Sequence, residues 1–160
     1  MPEVIKNTEE LLFINNELVE QIIKEARHSQ RHMARLLLHL SHEDLVQEML
    51  IAMGINCSVT PNRSVGRSES LQVVKGELLL VIFDDNGKVV SKIEMAPSDS
   101  DKVFLYRLSS TPWHTMIPLS EIVIVHEVIE GPFSNSSDPM PDWVPENPDD
   151  LKQFLKDCLN

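Results

Sequence analysis

The sequence predicts an all-β fold, a closed barrel or sandwich, with a helical addition at each end. Three observations point there. From residue 55 onward, short apolar runs recur at 55–60, 69–74, 77–83, 89–95, 103–108, 114–117 and 121–129. The breaks between them carry turn chemistry. Lys75-Gly76 offers a tight reversal, and Asp84-Asp85-Asn86-Gly87 offers a hairpin, because Asn-Gly tolerates the positive φ of a type I′ turn. No helical patterns alternate with these runs, as a parallel α/β fold would require.

Taken in order, residues 11–14 suggest a short strand. Over 16–28 the apolar residues Leu18, Ile22 and Ala26 recur every fourth position behind Asn15 or Asn16, which predicts a capped, surface-packed helix. Residues 34–40 hold three consecutive leucines and read as a strand. Ser41 followed by Asp44 resembles a capping box, and Val46, Met49, Leu50 and Met53 have helical spacing, so a second helix is expected over 42–53 with Gly54 ending it. The strands follow, with residues 97–101 as a loop. Beyond Gly131 the chain is rich in proline (Pro132, Pro139, Pro141, Pro145, Pro148) and is expected to lie as extended coil. Asp149 or Asp150 then opens a last helix with Leu151, Phe154 and Leu155 inward. This gives one structural domain in three parts: an extension over 1–54, a core barrel over 55–130, and coil plus helix over 131–160.

Composition limits the function classes. A hydrophobic fraction of 42% excludes a disordered chain, while 5% aromatics leave the core to aliphatic side chains. A formal charge of -11, with no basic stripe to offset it, argues against nucleic acid. No apolar run approaches the roughly 18 residues of a membrane span, and the opening MPEVIKNTEE lacks a secretory core. Cys57 and Cys158 are the only cysteines, too few for a disulfide scaffold, so a reducing compartment, the cytoplasm, is expected. The Asn-x-Ser triplets at Asn56, Asn62 and Asn135 are then chance matches.

Strand alternation sorts the polar residues onto faces. Glu69 shares a side with Leu71 and Val73, and His114 with Met116. Arg35, Leu37 and His39 share another face; Glu127 lies with Val125 and Val123, and His126 with Ile124 and Ile122. One arrangement gathers Arg35, His39, Glu69, His114 and Glu127 at a single cavity mouth. Such a set could bind an anion, hold a metal through Glu69 and His114, or run acid–base chemistry. Arg63 and Arg67, in the loop before Glu69, could draw an anion toward that mouth.

The segment 61–76, PNRSVGRSESLQVVKG, places Asn62, Ser64, Glu69 and Gly76 at the spacing of the first cupin motif, with Asn62 and Ser64 where that motif has histidines. Trp113-His114-Thr115 matches the Trp-His-Thr of a second motif, although Ser109 and Thr111 replace the preceding Pro and Gly. Phe83-Asp84-Asp85-Asn86-Gly87, Glu127, Glu130-Gly131-Pro132-Phe133 and Trp143-Val144-Pro145 agree further, and Arg35 and His39 fall on an Arg-x-Asn-x-His stretch with Leu37 for its Asn. Over residues 10–146 the chain thus resembles the cupins (double-stranded β-helix or jelly-roll barrels), and more closely the WbuC-like metalloproteins that occur with polysaccharide-biosynthesis genes. That resemblance implies one divalent metal held by three histidines and a glutamate.

Only Glu69 and His114 carry over as ligands, and Asn and Ser are poor substitutes for imidazole. No metal is therefore expected; Zn, Fe or Mn would be the candidates, with His39 or His126 supplying a missing donor. The expected function is binding of a small sugar or carboxylate in a pocket formed by Arg35, His39, Asn62, Ser64, Glu69, His114 and Glu127. The alternative is a sugar-modifying isomerase or epimerase, or a metal-dependent enzyme of polysaccharide metabolism. A homodimer paired through the strand near Leu11 or Ala34 is also expected.

Overall fold

The computed structural model describes residues 3–109, 112–133 and 140–160; Thr111, Asn135 and Pro139 lie outside them. Nine strands and two helices follow in the order β1 (Glu3–Lys6), α1 (Asn16–His28), β2 (Met33–Leu37), β3 (Val46–Gly54), β4 (Glu69–Lys75), β5 (Leu78–Phe83), β6 (Val89–Met95), β7 (Leu105–Leu108), β8 (Trp113–Pro118), β9 (Ile122–Glu130) and α2 (Pro148–Asp157). Six strands form one sheet in the order β1-β2-β3-β9-β4-β7, and β6-β5-β8 form a second. Among the described residues the two remain separate sheets, a sandwich, one of the two arrangements the sequence predicts; closure into a barrel is not seen among them. At one edge an isolated bridge between Met95 and Val103 links the end of β6 to the approach to β7.

Side-chain alternation explains the layers. Ile51, Met53, Leu71, Val73, Val123 and Val125 from the large sheet meet Leu78, Leu80, Met95 and Met116 from the small one, forming the inner core. Each outer face is covered by one helix. Ile22, Ile23 and Ala26 of α1 pack on Ala34, Leu36, Leu50, Ala52 and Ile124, while Leu151 and Leu155 of α2 pack on Leu79, Val81, Trp113 and Ile117. Burying each of these large aliphatic side chains contributes roughly 1.5–3 kcal/mol. The Asn15 side chain accepts from the Leu18 amide at 3.0 Å and starts α1; Asn147 accepts from Asp149 and Asp150 and starts α2.

The expected helix over 42–53 is instead β3. Gln47, Ile51 and Met53 turn inward while Leu50 and Ala52 turn out beneath α1, so both faces of β3 are buried and no two-residue period is visible. The residues read as a capping box build a tight turn instead. The Asp44 carboxylate accepts from the Leu40 and Ser41 amides, and the Ser41 hydroxyl accepts from Glu43. Residues 11–14 are not a strand; Leu11 and Phe13 are exposed coil, and the added strand is β1, paired parallel to β2. Ala34 therefore lies inside the sheet, and β1 and β7 are its edges.

Residues 55–60, expected as a strand, instead run irregularly past the sandwich, with Cys57 buried and Val59 packed on the core. The Asp84–Gly87 hairpin also differs in detail. Only Gly87 has positive φ (80°), and the Asp84 carboxylate accepts from the Asn86 and Lys88 amides, so Asn86 keeps an ordinary conformation and the extra residue becomes a bulge at Phe83. Gly76 (φ 76°) turns the chain from one sheet into the other, and any side chain there would strike the Ile122 carbonyl.

Candidate functional site

Five strands and one loop bring the polar residues of the interior together. Glu69 begins β4 and His114 lies in β8, so the carboxylate and the imidazole reach each other from opposite sheets. His114 Nε2 lies 3.0 Å from Glu69 Oε1, and both side chains are almost fully buried. The Tyr106 hydroxyl, from β7, donates to the same Oε1 at 3.0 Å. His114 Nδ1 is 3.0 Å from the Pro112 carbonyl, which can only accept, so Nδ1 carries a proton. With a carboxylate at Nε2 as well, the geometry favours a doubly protonated imidazolium.

The electrostatics agree. For His114, burial pulls the pKa down, but the hydrogen bond and charge of Glu69, helped by the Pro112 carbonyl and Glu127, raise it overall. For Glu69, burial pulls the pKa up, yet His114, Tyr106 and Arg67 together lower it. Burial and the neighbouring carboxylates push the Tyr106 phenol far above its usual range, so it acts only as a neutral donor.

Beside this ion pair is a cavity of about 310 Å³ between the sheets. Glu69, Glu127 and Arg35 line it, Met33, Ile51, Met116 and Ile129 supply apolar walls, and Ser58, Val59, Thr60, Asn62 and Ser64 of the irregular segment close one side. Glu127, half-buried, is pushed up to about 7 from the ordinary 4.5: burial is the largest cause, the charge of Glu69 adds to it, and Arg35 and His114 oppose. Arg35 is half-buried, and its Nε is enclosed without a hydrogen-bond partner among the described residues. Arg31 also lines the cavity, and both guanidiniums act on the nearby Cys57 thiol. Burial nevertheless holds that thiol up at about 11, so it stays protonated and unreactive.

Of the residues singled out in the sequence, Arg35, Asn62, Ser64, Glu69 and Glu127 line this cavity, with His114 directly behind Glu69. His39 does not. It is buried with Nδ1 3.0 Å from the Glu48 amide nitrogen, and its ring faces His42. His126 is on the outer face, 2.7 Å from the Glu48 carboxylate, and supplies no donor to the interior. Arg63 pairs with Asp85 at 2.9 Å and stacks over Trp113, away from the cavity. Tyr106 and Arg31 escaped the sequence reading. The alternation Tyr106/Leu108 in β7 could have indicated the first, but nothing local marks Arg31, which depends on how the α1–β2 turn meets the 55–60 segment.

The donor set does not fit the metal that the resemblance implied. Asn62 sits beside His114 through paired backbone hydrogen bonds (2.9 and 3.0 Å), but its side chain is exposed and donates to the Thr60 carbonyl. Both His114 nitrogens already have partners, and among the described residues no three His, Cys, Asp or Glu side chains come together in a way that could hold a metal ion.

The family model described as "Domain of unknown function (DUF6016)" matches residues 14–95, just over half of the chain. The chain belongs to this family. No curated protein matches it significantly. Among solved structures, the cupin domain of Cnp3 from Schizosaccharomyces pombe superposes with a TM-score of 0.50 at 10% identity, over 63% of this chain and 66% of that one. A Shewanella oneidensis protein gives 0.54 at 7% identity, over 64% and 70%. Oxalate oxidase in complex with the substrate analogue glycolate gives 0.51 at 12% identity, over 66% of this chain and 54% of that one. Identities this low speak for the fold alone, and that fold is a cupin β-sandwich. Among the described residues no helix is long and apolar enough to cross a membrane.

Proposed function

We propose that this chain is a small-ligand-binding cupin whose site is the inter-sheet cavity and whose Glu69–His114 pair stands where related folds would place a metal. The observation that carries this reading is the convergence of Arg35 with Glu127 and Glu69 on one cavity, with the Arg35 Nε enclosed and unpartnered among the described residues. An enclosed guanidinium nitrogen without an acceptor is costly, and a bound carboxylate or sugar hydroxyl would relieve it. At 310 Å³ the cavity lies at the small end of ligand sites. The Glu69–His114 ion pair is internally neutral, so the net charge presented to a ligand comes mainly from the arginines, which favours a small monoanion.

Thermal unfolding across a panel of small sugars and carboxylates tests the reading, since a ligand present at 100 times its Kd adds about 2.7 kcal/mol of apparent stability. Carboxylates should raise Tm, and Arg35→Gln should abolish the rise. A panel that leaves the wild-type Tm unmoved at millimolar concentrations overturns it.

A second reading, a sugar isomerase or epimerase related to the WbuC-like proteins of polysaccharide metabolism, draws support from Glu127. A carboxyl held at about 7 beside a second carboxylate suits proton exchange at a sugar carbon. Its test is deuterium exchange into candidate sugars, lost in Glu127→Gln. A cytoplasmic homodimer joined through the exposed edge β1 belongs to the same proposal, and sedimentation with and without residues 1–7 tests it.

A further inference from the structure

The cavity has a neighbour that the proposed function leaves unused. A groove of about 780 Å³ runs between the α1–β2 turn, the 55–60 segment and the C-terminal stretch leading into α2. Arg31, Ser58 and Thr60 line both the groove and the cavity, so the two hollows share a wall. The chemistry of the two compartments differs. The cavity presents Arg35 and Arg31 to its contents, with Glu69 neutralised by His114 and Glu127 held partly protonated near neutral pH. In the groove, Arg31 and Lys152 are balanced by Glu146 and Asp149, and the remaining polar groups are the His32 imidazole and the amides and hydroxyls of Gln30, Asn56, Ser58 and Thr60. Met140, Val144 and Pro145 add an apolar ledge.

Resting on the cavity-binding reading above, we propose that cavity and groove form one channel for an elongated organic acid. Its carboxylate sits between Arg35 and Arg31, and its uncharged, hydroxyl-bearing tail runs past Ser58 and Thr60 along Asn56 and Gln30. A monocarboxylate fits the cavity better than a phosphate, because the ionised fraction of Glu127 offsets part of the charge of Arg35 and Arg31 and leaves less than a dianion needs. The tail is neutral because the groove's charges cancel, and hydroxylated because its amide and hydroxyl side chains offer both donors and acceptors. The turn that aims Arg31 is built for the purpose of position. His32 holds a left-handed φ of 51°, its amide donates to Ser29 at 3.0 Å, and its carbonyl accepts from Gly54 at 2.9 Å. A non-glycine residue in that conformation is uncommon and needs surrounding contacts to hold it.

Isothermal titration of the full chain with lactate, gluconate and sorbitol separates the alternatives. Gluconate shares the carboxylate of lactate and adds a polyhydroxy tail, whereas sorbitol keeps the tail without the charge. Gluconate should bind at least about tenfold more tightly than lactate, and sorbitol should not bind measurably. Arg35→Gln should weaken both acids. Asn56→Trp, at an exposed position in the groove, should bring the gluconate-to-lactate ratio to within about twofold; Gln30→Trp is the second groove variant should the first fold poorly. Lactate and gluconate binding equally in the wild type, or a ratio untouched by either tryptophan, overturns the channel and leaves the cavity reading standing. Sorbitol binding as well as gluconate overturns the acid specificity. Binding of neither acid overturns both readings.

Discussion

Glu127→Gln puts the charge logic of the interior to a quantitative test. Glu127 on β9 faces Glu69 from β4, Arg35 from β2, His114 from β8 and Tyr106 from β7. Burial and the Glu69 charge hold its carboxyl at about 7 rather than 4.5. The folded protein thus keeps a proton that the unfolded chain releases. Below pH 4.5 both states are protonated and the group is neutral in its effect. Between 4.5 and about 7 stability falls as pH rises, and above 7 the loss is constant. That interval, at about 1.4 kcal/mol per pH unit, sets a ceiling of about 3 kcal/mol, which solvent screening of this half-buried group lowers to about 2 kcal/mol. Glutamine has the same shape without the ionisation. The variant should therefore exceed the wild type at pH 8 by about 2 kcal/mol, a Tm rise of roughly 4–8 °C, and match it within about 0.5 kcal/mol at pH 4. Urea melts at the two pH values measure this. A variant that loses stability at pH 8 would mean that Glu127 is an ionised partner of Arg35, and one that gains equally at both pH values would mean that its ionisation carries no cost; either would refute the reasoning.

Four further predictions concern the pair behind the cavity, the turn at Gly76 and the metal. Glu69→Ala should cost about 3–5 kcal/mol by stranding a buried imidazolium, whereas Glu69→Gln, whose amide can donate to a neutral His114, should cost only about 1–2 kcal/mol; denaturant midpoints distinguish them. Because the folded pKa of Glu69 is lowered and that of His114 raised, the pair's contribution should fade as pH falls below the ordinary 4.5 of a glutamate and again as pH rises above the ordinary 6.5 of a histidine, and Glu69→Gln should flatten both limbs. Gly76→Ala should cost more than about 2 kcal/mol, since it combines positive φ with a collision against the Ile122 carbonyl. Metal analysis of protein purified without an affinity tag should find well under one equivalent of Zn, Fe or Mn, and a stoichiometric ion would show that Asn62 and Ser64 had been replaced by donors from elsewhere.

What could be read along the chain was whatever depends on near neighbours. The cap at Asn15, the four-residue rhythm of α1, the hairpin at Asp84–Gly87 and the alternation through Glu69, Leu71 and Val73 are all local. They sufficed to place seven of the nine strands close to their observed positions and to put Glu69, Glu127 and Arg35 on inward faces. The failures share a cause. In β3, α1 covers one face and the inner core the other, so apolar residues stand on both sides and their order mimics a helix. Ser41 and Asp44 make the same side-chain-to-amide bonds in a turn that they would make in a helix cap, so the motif could not choose.

By itself, the sequence determined a β-rich chain with a helix near each end (and a third, over 42–53, that is β3 instead), an acidic surface, and a first motif whose histidine positions hold Asn62 and Ser64. The tertiary structure decided which polar groups meet. Alternation puts His39 on the face of Arg35, yet β2 ends at Leu37, so Arg35 lines the cavity while His39 is buried against Glu48. His114 meets Glu69 only because the small sheet packs across the large one, and Tyr106 joins them only because β7 pairs with β4. Strand period tells which way a side chain points; how two sheets superpose is set by packing over the whole core, and no local pattern encodes it.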